Sequence, residues 1–267
     1  MSSAEKLEGL KQSLRVKEKL LVSFSGGVDS SLLAALAGGA LGDGALAVVL
    51  ASETMPAREV ALAEKLASDL GLRSRTLRFS ILQSGEFAAN PPHRCYICRK
   101  ITSALLQSIA DEEGIGCIAD GVNLSDYRDF RPGIAASDEM GIWHPFVQAC
   151  LSKEDIRSIA KSIDLPVWNR PASACLASRI PYGEAITEEK LRMIDDAEQG
   201  LAALGFAQIR VRCHGSLARV ELPEQDMARA LQSRREIAER LQAAGFDYAA
   251  LDLEGYRVGS MNEVLKS

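Results

Sequence analysis

Apolar and polar positions along the first half of the chain follow two alternating rhythms. Short apolar runs at 20–25, 45–51, 74–79 and 116–120 read as strands, and the stretches 29–40, 56–70 and 99–114 repeat apolar residues at helical spacing. Strands alternating with helices predict an α/β fold with a parallel, doubly wound sheet. A Gly/Asp/Pro-rich stretch, DGVNLSDYRDFRPG (120–133), comes next, then a helix at 152–163 and an irregular segment carrying Pro166, Pro171 and Pro181. The pattern changes near 183–186. Beyond it a helix (187–204), two strands (208–213 and 217–222), a helix (226–243) and a short strand (248–253) read as a smaller α+β domain. The expected division is therefore 1–185 and 186–267, with no internal repeat.

Composition narrows the setting. A chain of 267 residues, 47% of them hydrophobic, can bury a substantial core. The net charge of -5 creates no global basic field, so nucleic acid is not an expected partner. The start, MSSAEKLEGLKQSLRVKEKL, reads as a charged amphipathic helix rather than a signal peptide. The longest apolar stretch, Leu32 to Leu41, is interrupted by glycines and too short to span a membrane. Six cysteines in such a chain read as reduced thiols, metal ligands or catalysts rather than a disulfide framework, and the expected location is cytoplasmic.

The turn SGGVDS (25–30) joins the first strand to the first helix of the alternating pattern. It is neither a Walker A loop nor GxGxxG, yet it has the parts of a phosphate cradle. Gly26 and Gly27 let the backbone approach an anion, Ser25, Ser30 and Ser31 add hydroxyls, the helix N-terminus adds positive potential, and Ser23 at the strand end joins the nucleotide-binding candidates. Asp29 would repel a bare phosphate, which suits either a Mg²⁺ held between protein and phosphate or a capping role. Gly121 ends the fourth strand with Asp120 and Asn123, where open α/β sheets place ligands, and Ser52 ends the second. Asp126, Arg128 and Asp129 follow in a polar loop that either orders over a nucleotide or is a solvated connection.

Thiols and arginines supply the second set of candidates. Cys175 lies between prolines, near Arg170 and Arg179, whose charge favours a thiolate; the competing reading is a buried core thiol. Cys95 and Cys98 form a CxxC pair at the expected start of a helix, suited to a metal, an iron–sulfur centre or a redox pair. Cys117, Cys150 and Cys213 carry no expected chemistry. Arg210 and Arg212 fall on one face of a strand, and Arg219 and Glu221 face them if the two strands pair as a hairpin. The residues alone allow a phosphate clamp or a face of cross-strand salt bridges. Lys100 either neutralises substrate charge or is an exposed first-turn lysine, and Glu198 either lines a pocket or faces solvent.

SGGVDS resembles the signature of the PP-loop ATP pyrophosphatases, which cleave ATP between its α and β phosphates and adenylate a substrate oxygen. With NPPHRCYICRK (90–100), DGVNLSDYRDFRPG (120–133), WNRPASACLASRIPYG (168–183) and GFAQIRVRCHGSLARVEL (205–222), nearly the whole chain is similar to the LarE family of sulfur transferases. The resemblance implies an enzyme that uses ATP and Mg²⁺ to adenylate a carboxylate of pyridinium-3,5-biscarboxylic acid mononucleotide and converts it to a thiocarboxylate, in nickel-pincer cofactor biosynthesis. It implies Cys175, Lys100 and Asp29 as catalytic residues, and Arg179, Glu198, Arg210, Arg212, Arg219 and Glu221 as substrate-binding ones. It leaves two sulfur sources: sacrifice of the Cys175 sulfur, or a [4Fe–4S] cluster on Cys95, Cys98 and Cys175 that presents a labile sulfide. A homo-oligomer is also implied. The alternatives are a tRNA thiolase of the same superfamily and a protein that binds ATP without turning it over.

Overall fold

The computed structural model of the protein describes residues 3–128, 131–171 and 174–257. In chain order these form α1 (Ser3–Arg15), β1 (Leu20–Ser23), α2 (Val28–Leu41), β2 (Ala45–Ala51), α3 (Ala57–Asp69), β3 (Ser74–Arg78), α4 (Gly85–Ala88), α5 (Arg94–Glu113), β4 (Ile118–Ala119), α6 (Pro132–Glu139), α7 (Pro145–Gln148) and α8 (Lys153–Ser162). There follow α9 (Glu188–Ala203), β5 (Arg210–His214), β6 (Leu217–Glu221), α10 (Glu224–Gln232), α11 (Arg234–Ala243) and β7 (Tyr248–Leu251).

The chain divides into two compact units, residues 1–80 with 93–173, and residues 81–92 with 174–267. In the first, four parallel strands lie in the order β3-β2-β1-β4, with Val22 in register with Ala47 on one side and Ala119 on the other. Strand side chains alternate between faces, so each face has its own core. Leu20, Val22, Phe24, Ala47 and Val49 meet Leu10 and Leu14 of α1, Leu32 and Leu33 of α2 and Ile156 of α8. Leu21, Leu46 and Val48 meet Leu106, Ile109 and Ala110 of α5. Each such aliphatic side chain, fully withdrawn from water, contributes ~1.5–3 kcal/mol. Helices on both faces of a parallel sheet are the α/β architecture that the alternating rhythm predicts. The connection from β1 runs to one side and that into β4 lies on the other, so the strand order reverses between these two, the position where such sheets bind ligands.

In the second unit β5 and β6 pair antiparallel and β6 and β7 parallel. Val211, Cys213, Ala218 and Val220 are buried on one face, while Arg210, Arg212, Arg219 and Glu221 share the other. The division between units falls at 173/174, and the reason lies in Asn90. Its side-chain amide donates to the carbonyls of Ile180, Pro181 and Glu184, its own carbonyl accepts from the Gly183 N–H, and Ala88 accepts from the Ile186 N–H. These bonds group 174–186 and 81–92 with the smaller sheet. Two element boundaries also differ from expectation. α5 begins at Arg94, so Cys95 and Cys98 lie inside the helix. The single helix expected at 226–243 is two, parted at Ser233, which ends α10 and starts α11.

Candidate functional site

β1 delivers the chain into the SGGVDS turn, where Gly26 takes φ +72°, a conformation open to glycine but strained for other residues. A Cβ there would also lie 3.0 Å from Ala63 of α3. The Ser30 hydroxyl ties the turn together: it accepts from the Ser25 N–H at 3.1 Å and donates to the Gly27 carbonyl at 3.2 Å. No side chain caps α2, whose first-turn N–H groups open toward a cavity of about 450 Å³. Gly121, beyond β4, lies against this turn: a Cβ on it would sit 2.9 Å from both the Asp29 Cβ and the Ser30 nitrogen. The cradle thus needs glycine on both sides, and its size, uncapped helix end and hydroxyls fit a nucleotide triphosphate.

Ser23, Ser25, Gly27, Asp29, Ser30 and Gly121, all expected to bind nucleotide, line this cavity. Among the described residues its charged lining is three carboxylates and three cations. Asp29 pairs with Lys153, Asp120 with Arg99 at 2.7 Å, and Asp126 with Arg131 at 2.7 Å. Asn123 donates to Asp29 as well, at 3.2 Å. Behind the lining, His144 meets the Asp120 carboxylate through Nδ1 at 2.6 Å, while Nε2 lies 3.2 Å from Asp138. Burial opposes charging of the ring, but the hydrogen bond it donates to Asp120 and the charges of Asp120 and Asp138 prevail, so its pKa is raised.

Sequence reasoning missed Arg99, Arg131 and Lys153. Lys100, expected to be catalytic, reaches Glu139 at 3.3 Å and is not among the lining residues; its neighbour Arg99, about 100° around the helix, takes that place. Lys153 carried a usable signal. It is the first residue of α8, where the helix dipole disfavours a cation, so an acidic partner elsewhere was to be expected. Ser52 lines a separate hollow of about 480 Å³ with Arg78 and Phe79, at the carboxyl ends of β2 and β3. Asp129 lies outside the described residues, as does the Arg128 side chain.

In the second unit the expected substrate residues form one network. Arg179, 2% exposed, donates through Nε and Nη2 to both oxygens of Glu198, and through Nη1 to the carbonyls of Ala174 and Cys175. Arg212 makes the same two-pronged contact with Glu221 and donates to the Ser178 carbonyl. Arg219 bridges Glu221 and Asp252. These arginines hold protein carboxylates and the turn that carries Cys175. Arg210 differs: its guanidinium lies 5.3 Å from the Tyr256 ring centre, and burial and the nearby Arg179 charge push its pKa down. Its Nη1 donates to the Ile209 carbonyl at 2.7 Å.

Cys175 is exposed, at the start of a short 3₁₀ turn, Leu176–Arg179, which rules out the core-thiol reading. Arg170, its other expected neighbour, pairs with Glu59 at 2.7 Å. Cys95 is exposed and Cys98 half-buried, three residues apart and so on one face of α5. Among the described residues no group of three or more His, Cys, Asp or Glu is arranged to hold a metal ion. Cys213 is buried, Cys117 half-buried and Cys150 exposed. No described helix is long and apolar enough to cross a membrane.

The comparisons with known proteins agree with this geometry. Residues 4–86, which carry the glycine turn, match the NAD synthase family. An uncharacterized protein of Synechocystis sp. is 40% identical over 97% of this chain and 98% of its own. A component of the glutamine-hydrolyzing GMP synthase of Methanocaldococcus jannaschii is 28% identical over 72% of this chain and 66% of its own. The pyridinium-3,5-bisthiocarboxylic acid mononucleotide synthase of Lactiplantibacillus plantarum is 35% identical over 98% of this chain and 95% of its own. An uncapped helix end between two obligatory glycines, an exposed cysteine turn held by Arg179 and similarity along nearly the whole length together place the chain in the LarE family, that of the pyridinium-3,5-bisthiocarboxylic acid mononucleotide synthase.

Proposed function

We propose that the protein is an ATP-dependent sulfur transferase that activates a carboxylate of pyridinium-3,5-biscarboxylic acid mononucleotide and converts it to a thiocarboxylate. The observation that carries this reading is the cavity at the β1/β4 switch point, with its glycine-gated turn and mixed charged lining, in a chain of this family. A carboxylate is a poor electrophile; ATP supplies the activation, giving an acyl adenylate and pyrophosphate. The α2 N-terminus with Ser25, Gly27 and Ser30 would hold phosphate oxygens, and Asp29 would face Mg²⁺. The Cys175 sulfur would then attack the acyl carbon and displace AMP, giving a thioester; removal of the Cys175 Hα with cleavage of its Cβ–Sγ bond would release the thiocarboxylate and leave dehydroalanine at 175. Arg210, on the face of the smaller sheet that carries Arg212 and Arg219, is the cation assigned to the substrate phosphate.

The finer readings rest on the resemblance. They are Cys95, Cys98 and Cys175 as ligands of a [4Fe–4S] cluster, assembly as a homo-oligomer, and a cytoplasmic location. The one-face placement of Cys95 and Cys98 supports the first, and in that reading a cluster-bound sulfide takes the place of the Cys175 sulfur as the attacking group while Cys175 stays a ligand. The deciding experiment incubates the protein with MgATP and the mononucleotide. AMP, pyrophosphate and a thiocarboxylate by mass spectrometry are expected, and Cys175→Ser keeps pyrophosphate release while losing the thiocarboxylate. Tight ATP binding with no pyrophosphate would instead make this an ATP-binding protein without turnover.

A further inference from the structure

Among the described residues, the six charged side chains lining the cavity sit in a one-to-one arrangement: each cation is ion-paired to a carboxylate of the same lining. Three pairs drawn from different parts of the chain meet there. Asp29 comes from α2 and Lys153 from α8, Arg99 from α5 and Asp120 from the end of β4, while Asp126 and Arg131 flank the entry to α6. A triphosphate seeks cations and a divalent metal seeks carboxylates, so the lining as it stands offers neither ligand a free counter-charge.

We infer that the empty nucleotide site is self-neutralised, and that a metal–nucleotide pair enters by partner exchange, with Lys153 leaving Asp29 for phosphate as the Asp29 carboxylate turns to the divalent cation. The inference rests on the nucleotide reading above. Asp29 and Lys153 are suited to this exchange because both are partly open to solvent, with side chains 23% and 29% exposed, so neither charge is locked in the interior. Asp120, 4% exposed, is held by both Arg99 and His144 and is the fixed member of the lining. The pairs keep like charges apart while the cavity is empty. They also make metal and nucleotide mutually dependent, since either alone would strand the partner it displaces.

A protein-side coupling of this kind has a signature that simple chelation of the metal by ATP lacks: the two halves of the pair act with opposite sign. Calorimetry would measure three bindings: ATP in EDTA, MgCl₂ alone, and MgATP. Asp29→Asn releases Lys153, so ATP in EDTA should bind roughly five- to tenfold more tightly than to the wild type, while MgATP binds less tightly. Lys153→Met releases Asp29 and should do the reverse, strengthening Mg²⁺ binding by a similar factor and weakening ATP in EDTA. Thermal unfolding confirms that each variant is folded, and Lys153→Arg, which keeps the charge, should behave as the wild type. If both variants shift metal-free ATP in the same direction, or neither shifts it, the exchange is wrong although the nucleotide site stands. If the wild type binds ATP under no condition, the nucleotide reading fails with it.

Discussion

Arg212 and Arg219 stand directly opposite each other across the β5–β6 pair, and Glu221, two residues beyond Arg219 on the same strand, accepts from both. Like charges facing across a ladder repel. The fully buried carboxylate turns that repulsion into a three-membered network, with Asp252 holding the far side of Arg219. Glu221→Gln keeps the shape and removes the charge. Its expected effect is a loss of about 3–5 kcal/mol in urea unfolding, because the buried Arg212 loses its two-pronged carboxylate contact and Arg219 loses one of its two carboxylates. Glu221→Gln with Arg219→Gln should recover part of that loss, which a double-mutant cycle would measure.

Arg179 holds the cysteine turn from behind. Arg179→Lys keeps a cation but cannot make the two-pronged contact with Glu198 and reach the Ala174 and Cys175 carbonyls together. Thiocarboxylate formation should fall at least tenfold, with ATP affinity within twofold of wild type by calorimetry. Equal losses in both would show that Arg179 acts on overall folding instead.

Gly121 gates the phosphate turn. Gly121→Ala places a methyl 2.9 Å from Ser30 N, inside contact distance, and should weaken nucleotide binding by about 1–3 kcal/mol. Gly116→Ala, whose Cβ would meet nothing within 4 Å, is the control and should leave affinity unchanged.

Stability should fall away on both sides of neutrality for identifiable reasons. Because the His144 pKa is raised on folding, its stabilisation is complete below the unfolded value of about 6.5 and fades as pH rises through the folded one. His144→Gln should flatten that alkaline decline in denaturation curves taken without metal. Asp155 works in the opposite sense. Hydrogen bonds from Lys6, Ser3 and the Ser152 N–H hold its carboxyl well below the usual range, so its contribution is present above the unfolded value and is lost as pH falls. Asp155→Asn should remove part of the acid sensitivity.

The α/β order of the first unit was legible because buried strands and amphipathic helices write different periods into the chain. The glycine turn was legible too, since Gly26 and Gly27 serve a local backbone need. Arg99 and Arg131 were not, because a cation's partner is set by tertiary position and nothing in its neighbours marks which residue of a helix faces a cavity; the place of Lys153 at the start of α8 signalled an acidic partner without saying which. Lys100 and Arg99 differ by one residue and about 100° of helix rotation, and only packing decides between them. The break at Ser233 carried no glycine or proline to announce it. Asn90 was equally silent: its role depends on carbonyls about ninety residues away.

The excursion of residues 81–92 into the second unit has a genetic consequence. The backbone passes between units three times, after Ser80, Pro92 and Ser173, so no single break in the gene yields two whole pieces. A fragment starting at 174 would lack Asn90, and the carbonyls of Ile180, Pro181 and Glu184 would lose the donor that organises them. Recombination that swapped one unit for a foreign one would have to replace two separate stretches together. The unit with the glycine turn and the unit with Cys175 therefore cannot be exchanged at a single crossover point.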